Sequence, residues 1–147
     1  MNIRNSKITV DVLMTIFLVL SFVRWEGGNG FIFHAVVGIV FALLVVLHLY
    51  LNRKWVSAAS KSIKEGKANK KIMQIFAIDM ILIAVWGIAI VTGFLAIPSF
   101  LFGIEFFYVF SRIHAVSSRL GAIFIIIHIF QHAWQIRSYL GMKLKQK

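Results

Sequence analysis

From Phe31 to Leu51 the chain runs for 21 residues without a charged side chain, and from Ile81 to Ile97 for another 17. Backbone placed in hydrocarbon must satisfy every N–H and C=O internally, which leaves helices and closed barrels. The runs lack the period-two alternation of a barrel strand and are read as helices. A span needs about 20 mainly apolar residues. Four segments approach or meet that length: about 8–23, 31–51, 72–97 and 107–136. Asp11 lies near the start of the first. Asp79 is the sole charge of the third, which Pro98 is expected to stop, and Arg112 and Arg119 fall in the first half of the fourth. The expected fold is all-α: an integral membrane, up-and-down four-helix bundle, with residues 1–147 forming a single membrane domain.

Composition enters through a contradiction. The chain is 60% hydrophobic and only 14% charged, yet carries a formal net charge of +11. A soluble domain is about half apolar and roughly a quarter charged, so the charge here is too sparse to coat a globule, and the apolar content excludes disorder. Sorting the charges by segment resolves it. Arg4 and Lys7 precede the first helix. Arg53, Lys54, Lys61, Lys64, Lys67, Lys70 and Lys71 fall in a basic loop, 52–71. Arg137, Lys143, Lys145 and Lys147 follow the fourth helix. Only Arg24, Arg112 and Arg119 fall elsewhere. The positive-inside rule then puts both termini and the 52–71 loop in the cytoplasm. The lysine-rich loop reads as a solvated topology signal near anionic lipid, not as a nucleic-acid site. The first helix has a basic start, but Val23-Arg24-Trp25-Glu26 offers no small-residue cleavage site, so it is read as retained rather than as a signal peptide.

With no cysteine in the sequence, disulfides, thiolate zinc sites, iron–sulfur clusters and CxxCH haem attachment are all excluded. Histidine remains. His34 and His48 lie in helix 2, and His114 and His128 in helix 4; both pairs are 14 residues apart. That spacing is almost four turns, so each pair shares a face and is separated by about 21 Å along its axis. In an up-and-down bundle, helices 2 and 4 run parallel and lie diagonally across the core. His34 then sits level with His114, and His48 level with His128. Imidazoles facing each other across a bundle suit the two axial positions of a haem iron. A lone histidine in a membrane helix is often a packing residue, but two pairs of identical spacing favour ligation.

A porphyrin needs small residues on the faces between its ligands. Gly38 and Ala42 on helix 2, and Ser118, Gly121 and Ala122 on helix 4, meet that need. Arg112 and Arg119 are candidates for the outer haem's propionates, and Arg53 or Asn52 for the inner one's. His132, four residues after His128, shares its face but lies about 6 Å further along the axis, level with Asn52 rather than His48. A supporting or propionate role is favoured for it over ligation. Asp11 and Asp79 are intramembrane carboxylates and so candidates for proton handling. The favoured alternative is that they snorkel or pair with Lys7, Lys70 or Lys71. Glu105, beside Phe106, Phe107 and Tyr108, is a candidate for an outer quinone site, though an interfacial position is favoured.

The segments His34-Ala-Val-Val-Gly-Ile-Val-Phe-Ala-Leu-Leu-Val-Val-Leu-His48 and His114-Ala-Val-Ser-Ser-Arg-Leu-Gly-Ala-Ile-Phe-Ile-Ile-Ile-His128 resemble the haem-binding core of the membrane di-haem cytochrome b superfamily. More closely, they resemble a family of small prokaryotic four-helix cytochrome b-like proteins, some associated with flavinylated electron-transfer partners. The resemblance covers helices 2 and 4, and extends to helices 1 and 3 only by hydropathy. It implies two non-covalent b haems with His34, His48, His114 and His128 as axial ligands. Asn52 stands where some relatives have a further histidine, which leaves His132 without an obvious counterpart.

The function expected is electron transfer across the prokaryotic inner membrane, between the quinone pool and a partner redox protein on at least one side. The chain would serve as an electron-transfer cytochrome subunit, alone or as part of a quinone-linked oxidoreductase. Two alternatives stand beside it: a membrane haem oxidoreductase acting on superoxide or ferric ions at an exposed haem edge, and a non-haem scaffold or assembly subunit.

Overall fold

The computed structural model describes residues 3–23 and 28–132. Within them the chain forms four helices: α1 (Ile3–Phe22), α2 (Gly28–Lys64), α3 (Lys70–Leu101) and α4 (Phe107–Gln131). All four are long and apolar enough to cross a membrane. The molecule is a multi-pass helical membrane protein whose outward apolar side chains, among them Leu43, Val46, Val91 and Ile126, meet lipid.

The helices outrun the apolar stretches, because hydropathy marks the hydrocarbon edge while helical hydrogen bonding continues past it. α1 begins five residues before the expected start. α2, at 37 residues, is about 55 Å long by its rise, against roughly 30 Å of hydrocarbon. The expected loop 52–71 is therefore corrected: it is helix through Lys64, and the link to α3 is five residues long. Trp55 holds this extension down by packing near Phe76, with ring centroids 6.5 Å apart. The link closes as a Schellman turn. Lys67 N–H donates to Ser62 O and Gly66 N–H to Ile63 O, with Gly66 at φ +68°, a conformation that suits glycine. Asn69 then caps α3, its side-chain oxygen accepting from Ile72 N–H at 2.9 Å.

Pro98 does not stop the third helix, which continues to Leu101. A proline costs its helix one N–H donor and crowds the preceding turn. Here it falls in the final turn, and its carbonyl still accepts from Phe102 N–H at 3.0 Å. The expected helix-4 residues 133–136 lie outside the described residues, as do Arg24, Arg137, Lys143, Lys145 and Lys147.

α3 packs most extensively on α4 and α1 on α2, with α2 against α3 joining the two hairpins. The core is narrow: Phe41 and Trp86, their rings 4.9 Å apart, with Ala89, flanked by Leu18, Val45 and Ile125.

Candidate functional site

The two histidine helices bring their rings together at both levels. The ring centroids of His34 and His114 are 5.8 Å apart, and those of His48 and His128 are 6.5 Å apart. An imidazole nitrogen sits about 2.0 Å from a first-row transition metal. Two rings bound end-on to one ion therefore have centroids roughly 6 Å apart, and both measured separations match that span.

What holds each ring is more specific than its position. His114 Nδ1–H donates to Ala89 O at 2.8 Å. A carbonyl only accepts, so the proton is on Nδ1 and the Nε2 lone pair is left for a ligand. His48 Nδ1–H donates to Asp11 Oδ1 at 2.7 Å, and His128 Nδ1–H to Asp79 Oδ1 at 2.7 Å. His34 faces the main chain of Ser21, in the last turn of α1, where carbonyls lack intrahelical partners. α1 thus orients the His48 ring of α2, and α3 both rings of α4. Metal-bound histidines characteristically carry such a partner on the second nitrogen. Asn52 Nδ2 lies 3.3 Å from His48 Nε2 and donates to His48 O at 3.0 Å, while its Oδ1 accepts from Lys7 Nζ at 2.8 Å.

The expected pairing of Asp11 and Asp79 with lysines is replaced by these contacts with histidine. A short carboxylate cannot reach the membrane edge from mid-helix, whereas an imidazole at the same depth meets it directly. Asp79 is also 3.9 Å, by Oδ2, from His132 Nε2. Asp79, His128 and His132 form a cluster whose ligand atoms lie within 4.8 Å of one another. His132 stacks near His128, with centroids 4.5 Å apart, and stands 6.2 Å from Trp55.

A cavity of about 470 Å³ surrounds the His34/His114 level, within the usual size range of ligand sites. Gly38, Ala35, Gly93, Ala115 and Ser118 give it small walls, and Arg119 and Ser111 supply polar groups. Phe41 and Trp86 also line it. A methyl added at Gly38 would meet nothing within 4 Å.

Other expected members go elsewhere. Gly121 leaves no space for a ligand, because Trp86 fills it: a Cβ there would stand 2.8 Å from the indole Nε1 and Cε2. Arg112 faces a different groove, beside Val85 and Ile88. Arg53 is exposed and folded onto its own helix, donating to Tyr50 O at 2.7 Å with its guanidinium over the Tyr50 ring.

Gly93 was not foreseen as a site residue. A Cβ there would lie 3.0 Å from His114 Nδ1, so its bare face is what admits the ring to the Ala89 carbonyl. Its position four residues beyond Ala89, on the same helix face, is the signal that could have revealed it.

Comparison with protein-family models, with curated proteins and with solved structures finds no match for this chain.

Proposed function

We propose that this protein is a di-haem b-type cytochrome that carries electrons across a prokaryotic inner membrane. The reading rests on one observation: two levels of facing imidazoles, 5.8 and 6.5 Å apart, with three of the four rings, His48, His114 and His128, held by an acceptor from a neighbouring helix. Structural histidines pair once with a backbone group or a carboxylate. Four rings that converge in two pairs, at the span a metal requires, need a further reason.

His34 and His114 would hold one haem, His48 and His128 the other. Bound haem supplies a one-electron couple whose potential the protein sets through ligands, burial and propionate contacts. The chain's own residues do the rest. Gly38, Ala35 and Ala115 leave room for a planar ring, Arg119 and Ser111 offer propionate partners, and the apolar helices keep water out. The resemblance to small cytochrome b-like proteins points the same way. The charge distribution fits the same topology: by the positive-inside rule, the termini and the basic ends of α2 and α3 that flank their link would face the cytoplasm. A quinone at one end and a redox partner protein at the other complete the proposal.

The test is a pyridine haemochrome assay on purified protein, with two b haems per chain expected. The double variant His34→Ala with His114→Ala should retain one; retention of both would sink the ligand assignment. No b-type absorbance after dithionite would leave the scaffold reading standing. Stopped-flow reoxidation by a quinone analogue, compared with superoxide and a ferric chelate, separates a quinone-linked carrier from a direct oxidoreductase.

A further inference from the structure

The two levels are not chemically equivalent, and on the di-haem reading the difference orders them. At the His34/His114 level His114 donates to the neutral carbonyl of Ala89, His34 faces main chain at Ser21, and among the described residues no carboxylate pairs with either ring. At the His48/His128 level both rings donate to carboxylates at 2.7 Å, Asp11 and Asp79. We propose that Asp11 and Asp79 make the His48/His128 level the lower-potential of the two. An electron placed there runs to the His34/His114 level, one centre losing one electron and the other gaining it.

The chemistry follows from the hydrogen bonds. A bond from Nδ1–H to a carboxylate is charge-assisted, and stronger than one to a carbonyl. It draws the proton away from the ring and makes Nε2 a more basic ligand, which favours the oxidised, more positive iron. The carboxylate charge acts in the same direction. On the other level, the Arg119 guanidinium on the cavity wall favours the reduced state. The groups that oppose this order are Lys7 and, when protonated, His132. Lys7 reaches the His48 ring only through Asn52, and His132 stands 3.9 Å from Asp79. Both are farther from the rings than the carboxylates that touch them, and Coulomb energy falls with distance. Asp79, with its side chain 12% exposed, is screened less than Asp11, at 46%, so it carries the larger share.

If this order holds, the side bearing the α2–α3 link is where electrons enter. The residues act through the ligands they hold; they are positioning residues, so the readout is potential and spectrum, not turnover. Purified protein titrated spectroelectrochemically should show two one-electron waves. Asp79→Asn should raise the lower wave by at least tenfold in the reduced-to-oxidised ratio at fixed potential, 59 mV for a one-electron couple. It should also alter that centre's ferric low-spin EPR signal. Asp11→Asn should move the same wave less, and neither should move the upper wave. An unmoved lower wave, or a shift confined to the upper one, overturns the proposal while leaving two haems in place. Should Asp79→Asn lose one haem, the surviving wave must match the wild-type upper wave; a match to the lower one overturns the proposal equally. Wild-type protein without haem would instead remove the di-haem reading itself.

Discussion

Gly121→Ala tests the packing at the centre of the molecule without reference to any cofactor. The added methyl would lie 2.8 Å from Trp86 Nε1 and Cε2 and 3.2 Å from Cζ2. Carbon atoms meet comfortably at about 3.5–4.0 Å, so the indole must retreat by most of an ångström. Its other face is occupied: Phe41 lies 4.9 Å away by ring centroid, and Ala89 is 1% exposed. Overpacking of this kind typically costs about 1–3 kcal/mol, and a rigid, two-ring side chain wedged against helix backbone belongs near the top of that range. The substitution also gains about 1 kcal/mol of helix propensity. The net expectation is a loss of about 1–2 kcal/mol, a fall in Tm of roughly 3–6 °C for a chain this size. The control is Gly87→Ala on α3, where a Cβ meets nothing within 4 Å and only the propensity gain remains. Thermal melts of both variants in detergent, followed by circular dichroism, make the comparison. Gly121→Ala melting at or above Gly87→Ala would refute the Trp86–Gly121 interlock. In a Trp86→Phe background the cost should shrink, since the smaller ring vacates the space.

On the di-haem reading, three further outcomes follow from the cavity. Gly93→Ala pushes the His114 ring off the Ala89 carbonyl, and should weaken haem retention at the His34/His114 level about 10–100-fold, the usual effect of losing a ligand's orienting bond; dilution or apo-protein transfer measures it. Gly38→Leu fills the cavity and should lower the haem-to-protein ratio in the haemochrome assay from two to one. Arg119→Ala should shift the upper redox wave downwards while Arg112→Ala leaves it in place, because only Arg119 lines the cavity; equal shifts would contradict that assignment.

The histidine levels were legible in the sequence because 14 residues return a helix almost to the same phase, and because short links force the helices to alternate. The partners of those histidines were not. A helix facing lipid is apolar nearly all round, so no polar stripe marks which side turns inward. The rotational phase that aims Asp11 at His48 and Asp79 at His128 is therefore hidden in α1 and α3. Gly121 was read as making room for a ligand, since a glycine on a ligand face looks the same whether a cofactor or an indole fills its gap. The length of α2 was hidden for another reason: Trp-Val-Ser-Ala-Ala-Ser-Lys contains nothing that breaks a helix, and polarity alone was taken for a loop.

One regularity becomes visible only once the partners are known. Asp11 and Ser21 are ten residues apart, as are Asp79 and Ala89; the histidines they hold are 14 apart on each following helix. The hairpins α1–α2 and α3–α4 thus match in spacing, each a partner helix followed by a histidine helix. Superposing their numbering pairs Asn52 with His132, each four residues beyond a ligand histidine, which gives His132 the counterpart it lacked. It also pairs Leu18 with Trp86 and Phe41 with Gly121, and here the units differ in a compensating way. One places a medium and a large side chain at the midpoint between levels, Leu18 and Phe41. The other places a very large one against none, Trp86 on Gly121. The summed volume stays similar while the filling is redistributed, as close-packed interiors demand. Two hairpins of matched residue spacing bring one histidine each to both levels, which on the di-haem reading offers a matched pair to each ring. Trp86 at the centre is where the hairpins depart from each other, whereas the carboxylates, matched in both hairpins, are what set one histidine level apart from the other.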